Sequence, residues 1–105
     1  MKKINEKQFI KYLNNSNKLL IVDFWAKWCY PCKKLNKILK KIDKIINKKK
    51  IKILKINIDE NIKLADIYDI QSIPTLIIFK NNKIKELIIG TIDYKKLKKK
   101  INNLL

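Results

Sequence analysis

The stretch Leu19-Leu20-Ile21-Val22-Asp23-Phe24-Trp25-Ala26-Lys27-Trp28-Cys29-Tyr30-Pro31-Cys32-Lys33 passes from an almost unbroken apolar run into a Cys-x-Pro-Cys motif. A run of β-favouring residues without polar alternation is the pattern of a strand covered on both faces, which requires helices above and below its sheet. One carboxylate, Asp23, interrupts it. Beyond Cys29 the period changes. Leu35, Ile38, Leu39, Ile42, Ile45 and Ile46 recur at steps of three and four, while Lys33, Lys34, Lys37, Lys40, Lys41 and Lys44 take the other side. This spacing predicts a long amphipathic helix, and it puts the two Cys where a buried strand hands over to that helix.

Outward from this junction, Asn5 with Gln8 three residues on forms a capping-box signal for a first helix carrying Phe9, Tyr12 and Leu13 and ending at about Leu13, followed by a turn over Asn14 to Lys18. Lys48 to Lys50 are expected to end the long helix, where cations suit the dipole. Ile51, Ile53, Leu54, Ile56 and Ile58 mark a second buried strand. Asp59 then offers an N-cap for a short helix carrying Ile62, Leu64, Ala65, Ile67 and Tyr68. Thr75 to Phe79 reads as a third strand, Asn81-Asn82 as a hairpin turn, and Ile84 to Ile89 as the antiparallel return. Asp93 can cap a last helix striped with Leu97, Ile101 and Leu104. The order α, β, α, β, α, β, β, α predicts an α/β protein: a three-layer α/β/α sandwich with a mixed central sheet of four to five strands flanked by four helices.

Composition narrows the function classes. A chain of 105 residues, 47% apolar, suits one ordinary domain spanning residues 1–105 and able to fold without staples. Two Cys and no His are too few for a structural zinc site and too few for a disulfide-dense secreted scaffold. A metal would need two borrowed ligands, and no cofactor is implied, since no Gly-rich phosphate loop is present. The formal charge of +17 raises the question of nucleic acid, but all 26 basic residues are Lys and none is Arg. Lys, Ile and Asn make up 60 of the 105 residues. All three have A/T-rich codons, and mutational bias accounts for the charge better than an evolved nucleic-acid footprint. The first ten residues carry charge from the second onward, and no apolar run is long enough for a signal peptide or a membrane span, so the expected location is the cytoplasm. Thiols are kept reduced there, which favours a catalytic or metal-binding role for a Cys-x-x-Cys pair over a structural one.

The position of the pair gives it a mechanism. The unpaired N–H groups and dipole at a helix start favour a thiolate, which makes Cys29 the expected attacking thiol. Cys32, in the first turn, can reach back to resolve a mixed disulfide, and Pro31 is tolerated where its missing N–H has no intrahelical partner.

Residues 22–33 resemble the active-site segment of the thioredoxin family. Ile73-Pro74-Thr75 resembles its cis-proline loop, Lys55-Ile56-Asn57-Ile58-Asp59 its third landmark, and Gly90 the glycine before its last helix. The resemblance covers the whole chain in order. It implies a Cys29–Cys32 disulfide that cycles with the dithiol, Asp23 as a buried carboxylate acting as general base for Cys32 through a water, and Lys55 as the partner that tunes it. It implies a cis Pro74, beside which the backbone of Ile73 pairs with an extended substrate. Trp28, Tyr30, Pro31, Ile73, Pro74 and Gly90 are the implied substrate-binding residues, with Trp25 packing in the core or just behind the site. The implied function is protein-disulfide reduction in cell redox homeostasis, with disulfide-bearing proteins as substrates and a separate flavin- and NADPH-dependent thioredoxin reductase as electron donor. A monomer is expected, with no specific nucleic acid and no membrane as partner.

Three positions depart from the family pattern. Tyr30 replaces the usual Gly between the Cys, Lys37 stands where many members have a helix-kinking Pro, and Asn82 replaces a turn Gly. Tyr30 keeps open an oxidant or isomerase with a raised potential. The lysine run Lys95 to Lys100 keeps open a non-catalytic basic adaptor for nucleic acid or a protein partner.

Overall fold

A computed structural model describes all residues, Met1–Leu105. Nine elements follow in order: β1 (Lys2–Lys3), α1 (Glu6–Asn15), β2 (Leu19–Trp25), α2 (Tyr30–Ile45), β3 (Ile51–Asn57), α3 (Ile62–Ile67), β4 (Thr75–Lys80), β5 (Lys83–Ile89) and α4 (Tyr94–Leu104). They build one five-stranded sheet in the order β1-β3-β2-β4-β5. β2 runs parallel to β3 and antiparallel to β4, and β1 and β5 form the edges. This is the expected three-layer mixed α/β architecture.

The two faces of the sheet are sorted by residue parity along β2. Leu19 and Ile21 pack with Leu35, Leu39 and Ile42 of α2 and Leu97 and Ile101 of α4. Leu20, Val22 and Phe24 pack on the opposite face with Phe9 of α1 and Leu64 of α3. A strand buried on both sides has no solvent-facing position to spare for a charge. Alternation therefore turns Asp23 into the α2 side of the sheet, in register with Lys55 of β3 and Leu76 of β4.

The helix starts follow their caps. Asn5 and Gln8 exchange reciprocal hydrogen bonds at 2.9 Å, completing the capping box, and Asp93 Oδ1 accepts from Lys96 N–H at 2.8 Å. At the hairpin both Asn81 (φ 53°) and Asn82 (φ 62°) adopt left-handed backbone, which a two-residue turn matched to the strand twist demands.

Four sequence expectations need correction. β1 escaped detection, because its two lysines carry no apolar signal; backbone pairing with Leu54 and Lys55 holds it. α1 runs on to Asn15 rather than about Leu13. Lys48–Lys50 do not end α2, which stops at Ile45, capped by Ile46; the lysines lie in a following turn where Asn47 Oδ1 accepts from Lys49 N–H at 2.9 Å. Asp59 does not cap α3. Asn61 holds that position without a side-chain cap, and Asp59 is used elsewhere.

Candidate active site

Cys29 is the N-cap of α2. Its backbone is extended (φ −86°, ψ 111°), and its Sγ accepts a hydrogen bond from the Cys32 N–H at 3.2 Å. The sulfur thus occupies the place usually taken by a Ser or Asp oxygen, at the end of a helix that favours negative charge. Pro31 is the second residue of the helix, where no backbone donor is lost. Cys29 and Cys32 are joined in a disulfide three residues apart, both buried. With Ala26 they form a small apolar cluster under Trp25, Ile58 and Ile73. α2 continues unbroken past Lys37, as expected from the absence of a proline there.

Ile73–Pro74 is a cis peptide. Two contacts fix this loop: Thr75 Oγ1 donates to Ser72 C=O at 2.6 Å, and the Gly90 N–H donates to Pro74 C=O at 2.8 Å. Gly90 turns the chain after that N–H with a left-handed φ of 86°, which explains a Gly at this point in an otherwise Gly-free chain. Ile89, paired with Thr75 across the hairpin, is exposed beside it and extends the apolar rim.

Asp23 of β2 is fully buried, and neither carboxylate oxygen has a partner within normal hydrogen-bonding geometry. The Lys55 ammonium lies 3.5 Å from Oδ2, close enough for an ion pair but not in hydrogen-bonding geometry. Burial raises the Asp23 carboxyl to about 6, with the charge of Lys55 and a weak, long hydrogen-bond contact from it pulling only partly the other way. Burial likewise lowers the affinity of Lys55 for its proton, against the pull of Asp23. A carboxylic acid poised near neutrality can give or take a proton at ordinary pH. A cleft of about 300 Å³ gives water access to this region, lined by Trp25, Cys32, Asn36, Lys40 and Lys55 among others. A larger open depression of about 630 Å³ among Lys2, Lys11, Tyr12, Lys18 and Lys52 lies on the other face and shares no residue with the site.

The structure therefore packs Ile73 on the Cys29–Cys32 disulfide, joins Pro74 to Ile73 by the cis peptide and Gly90 to Pro74 by a hydrogen bond, and brings Lys55, the ion-pair partner of Asp23, into one cleft with Cys32. Trp28 and Tyr30 stand outside as exposed side chains, 69% and 67% accessible. Trp25 is only half-buried, with the Lys55 ammonium 4.7 Å from its ring.

Sequence reasoning missed two participants. Asp59 Oδ2 accepts from the Trp28 indole Nε1 at 2.8 Å, and Asn57 positions it by accepting the Asp59 N–H at 2.8 Å. Asn36 Oδ1 accepts from the Lys55 ammonium. For Asn36 the available signal was its place one helical turn beyond Cys32, on the same face.

The family model named Thioredoxin matches residues 1–103. A thioredoxin of Rickettsia bellii is 40% identical over 100 residues, covering 95% of this chain and 94% of that protein. One from Buchnera aphidicola is 40% identical over 95 residues, covering 90% and 87%. Among solved structures, the thioredoxin Mala s 13 of Malassezia sympodialis superposes with a TM-score of 0.85 at 31% identity, over 98% of this chain and 89% of that one. Chloroplastic thioredoxin z superposes with a TM-score of 0.90 at 26% identity, over 98% and 92%.

Proposed function

The chain belongs to the thioredoxin family and is a protein-disulfide reductase, and we propose that it does this work with Cys29 as nucleophile, Cys32 as resolving thiol and Asp23 as proton acceptor for Cys32. The Cys29 thiolate attacks one sulfur of a substrate disulfide, forming a mixed disulfide and expelling the other sulfur as a thiolate. Cys32 surrenders its proton to Asp23 through a water and attacks Cys29 Sγ. The second substrate thiol leaves, two electrons have passed to the substrate, and the chain holds the Cys29–Cys32 disulfide. Lys55 tunes Asp23 by its charge.

The observation that carries this reading is the Cys29 sulfur capping α2, its disulfide to Cys32, and the raised carboxyl of Asp23, whose partner Lys55 lines the same cleft as Cys32. Trp28, Tyr30, Pro31, Ile73, Pro74 and Gly90 would frame an extended substrate segment, with the backbone of Ile73 pairing to it as an added strand. Recharging by a flavin- and NADPH-dependent thioredoxin reductase, action as a single-domain monomer over residues 1–105, and a cytoplasmic location complete the proposal. No helix is long and apolar enough to cross a membrane.

The test is the equilibrium potential of the Cys29/Cys32 couple against glutathione, together with Cys32→Ser. A potential near ~−270 mV and accumulation of mixed disulfides on Cys29 in the variant are expected. A value near ~−180 to −120 mV would make the protein an isomerase or oxidant instead.

A further inference from the structure

We propose that Asn36 is a positioning residue for the proton chemistry of Asp23: its side-chain oxygen holds the Lys55 ammonium, and so keeps from the buried carboxylate the close hydrogen bond that lysine could otherwise donate. The inference rests on the reading of Asp23 as the proton acceptor for Cys32.

The geometry runs against the intrinsic order of bond strengths. A lysine ammonium carries three donors, and a carboxylate is a stronger acceptor for them than a neutral amide. Yet Lys55 bonds Asn36 Oδ1, while Asp23 Oδ2, 3.5 Å away, receives no close hydrogen bond. The arrangement has two anchors. Asn36 is fixed by α2, four residues after Cys32 and four before Lys40, and the Trp25 ring faces the same ammonium at 4.7 Å. The ammonium is held between an amide and an aromatic face, near the carboxylate but not on it.

The consequence for Asp23 follows from separating charge from hydrogen bonding. A nearby cation favours the ionised carboxyl, and a direct hydrogen bond to that ionised form favours it further. Asn36 leaves the first effect in place and weakens the second, because at 3.5 Å the Lys55 ammonium is too far from Oδ2 for a close hydrogen bond, so Asp23 keeps a higher proton affinity than a closely bonded Asp–Lys pair would. The surroundings add no competing acid. From α2 the cleft is lined by Lys33, Lys37 and Lys40 with Cys32, from the preceding loop by Lys27, and from β3 by Lys55; no carboxylate lines it. β4 presents Leu76 opposite Asp23, and Lys3 of β1 lies over the Trp25 ring at 5.7 Å.

The test is a carboxyl-carbon NMR titration of Asp23 in the full chain, in the disulfide form, for wild type, Asn36→Ala, Lys55→Met and the double variant. Asn36→Ala frees Lys55 to bond Asp23, so the proton affinity of Asp23 should fall about three- to tenfold, a shift of about half to one unit. Lys55→Met should raise it. In the Lys55→Met background, Asn36→Ala should change it by less than about twofold, because the effect passes through the ammonium. Asn36→Asp, which keeps an acceptor of the same shape, should titrate Asp23 at or above the wild-type value, and it guards against a packing defect in the Ala variant. An unchanged or raised affinity in Asn36→Ala, or the same shift with and without Lys55, would overturn the proposal. Turnover of Asp23→Asn at pH 7 reports separately on whether Asp23 serves Cys32, so a failure there leaves the titration result to stand or fall by itself.

Discussion

The Trp28 indole donates to Asp59 across 31 residues of sequence, tying the exposed side chain next to Cys29 to the loop after β3. Asn57 turns that loop by accepting the N–H of Asp59, and Ile58 N–H bonds Trp25 C=O at 2.9 Å, so the indole is tethered to the sheet itself. Removing the acceptor leaves an accessible donor that water can satisfy. Asp59→Ala should therefore cost under about 1 kcal/mol of stability, since solvent replaces the bond. A freed indole no longer presents a fixed face to a protein substrate, so kcat/KM for a disulfide-bearing protein such as insulin should fall about three- to tenfold. Alkylation of reduced Cys29 by iodoacetamide should be unchanged. Loss of both would mean that Asp59 supports the dithiol rather than the substrate face.

Asp23 makes stability depend on pH with a definite sign. Its carboxyl is held at about 6 when folded, against an ordinary 3.8. The folded state therefore binds the proton more tightly than the unfolded chain, so the contribution of Asp23 is most favourable below pH 4 and is lost as pH rises through 6. A difference of about two units corresponds to about 3 kcal/mol. Oxidised Asp23→Asn should gain about that much relative to wild type between pH 4 and pH 7 in urea unfolding. A stability difference between the two proteins that is flat across this range would show that the buried carboxyl is not raised.

Gly90 needs its backbone angle rather than empty space. A Cβ at this position would meet nothing within 4 Å, but φ is 86°. Gly90→Ala should cost about 1 to 2 kcal/mol by urea denaturation, the penalty of a left-handed angle for an L-residue. A loss of several kcal/mol would mean that the Pro74–Gly90 contact is itself disrupted.

The hairpin offers the opposite experiment. Asn82 accepts a φ of 62° that Gly takes without strain, so Asn82→Gly should stabilise the fold by a few tenths to about 1 kcal/mol, read as a higher midpoint in the same assay. Asn82→Val should lower the midpoint, because a β-branched side chain resists that conformation.

The charge of +17 is compensated by only five ion pairs, four of them at least partly solvated. Self-repulsion should then dominate long-range electrostatics. The melting temperature should rise with NaCl from about 0.01 to about 1 M, over which the screening length falls from about 30 to about 3 Å. A falling melting temperature would mean that the ion pairs outweigh the repulsion.

Most of the fold was legible because its signals are local. The apolar run of β2, the three-and-four spacing of α2, the Asn5/Gln8 box and the Asn81-Asn82 turn each fix a conformation from neighbouring residues alone. β1 was not, since its place depends on a backbone ladder to β3 that two lysines do not announce. At the site, the Cys pair stood out by its position, and Asp23 by its charge in an apolar run. Asp59 and Asn36 act through contacts 31 and 19 residues distant, and no periodicity records which side chains meet across the top of a sheet. In α4, Leu97 turns inward among the exposed Lys95, Lys96, Lys98 and Lys99, while Lys100 is half-buried and pairs with Glu86.

The disulfide joins residues only three apart, from the N-cap of α2 to its first turn. Cutting it releases almost no length of chain, so an unfolded protein treats its two sulfurs much as a short peptide would. Around the cycle of folding and oxidation, any difference between the potential of the folded couple and that of the peptide must then reappear as a difference in unfolding free energy between the two forms, about 1.4 kcal/mol for each 30 mV. An unfolding experiment in each oxidation state thus works as a voltmeter. The buried carboxyl, the capped sulfur and the packing over them set the voltage to the same extent that they stabilise one form over the other.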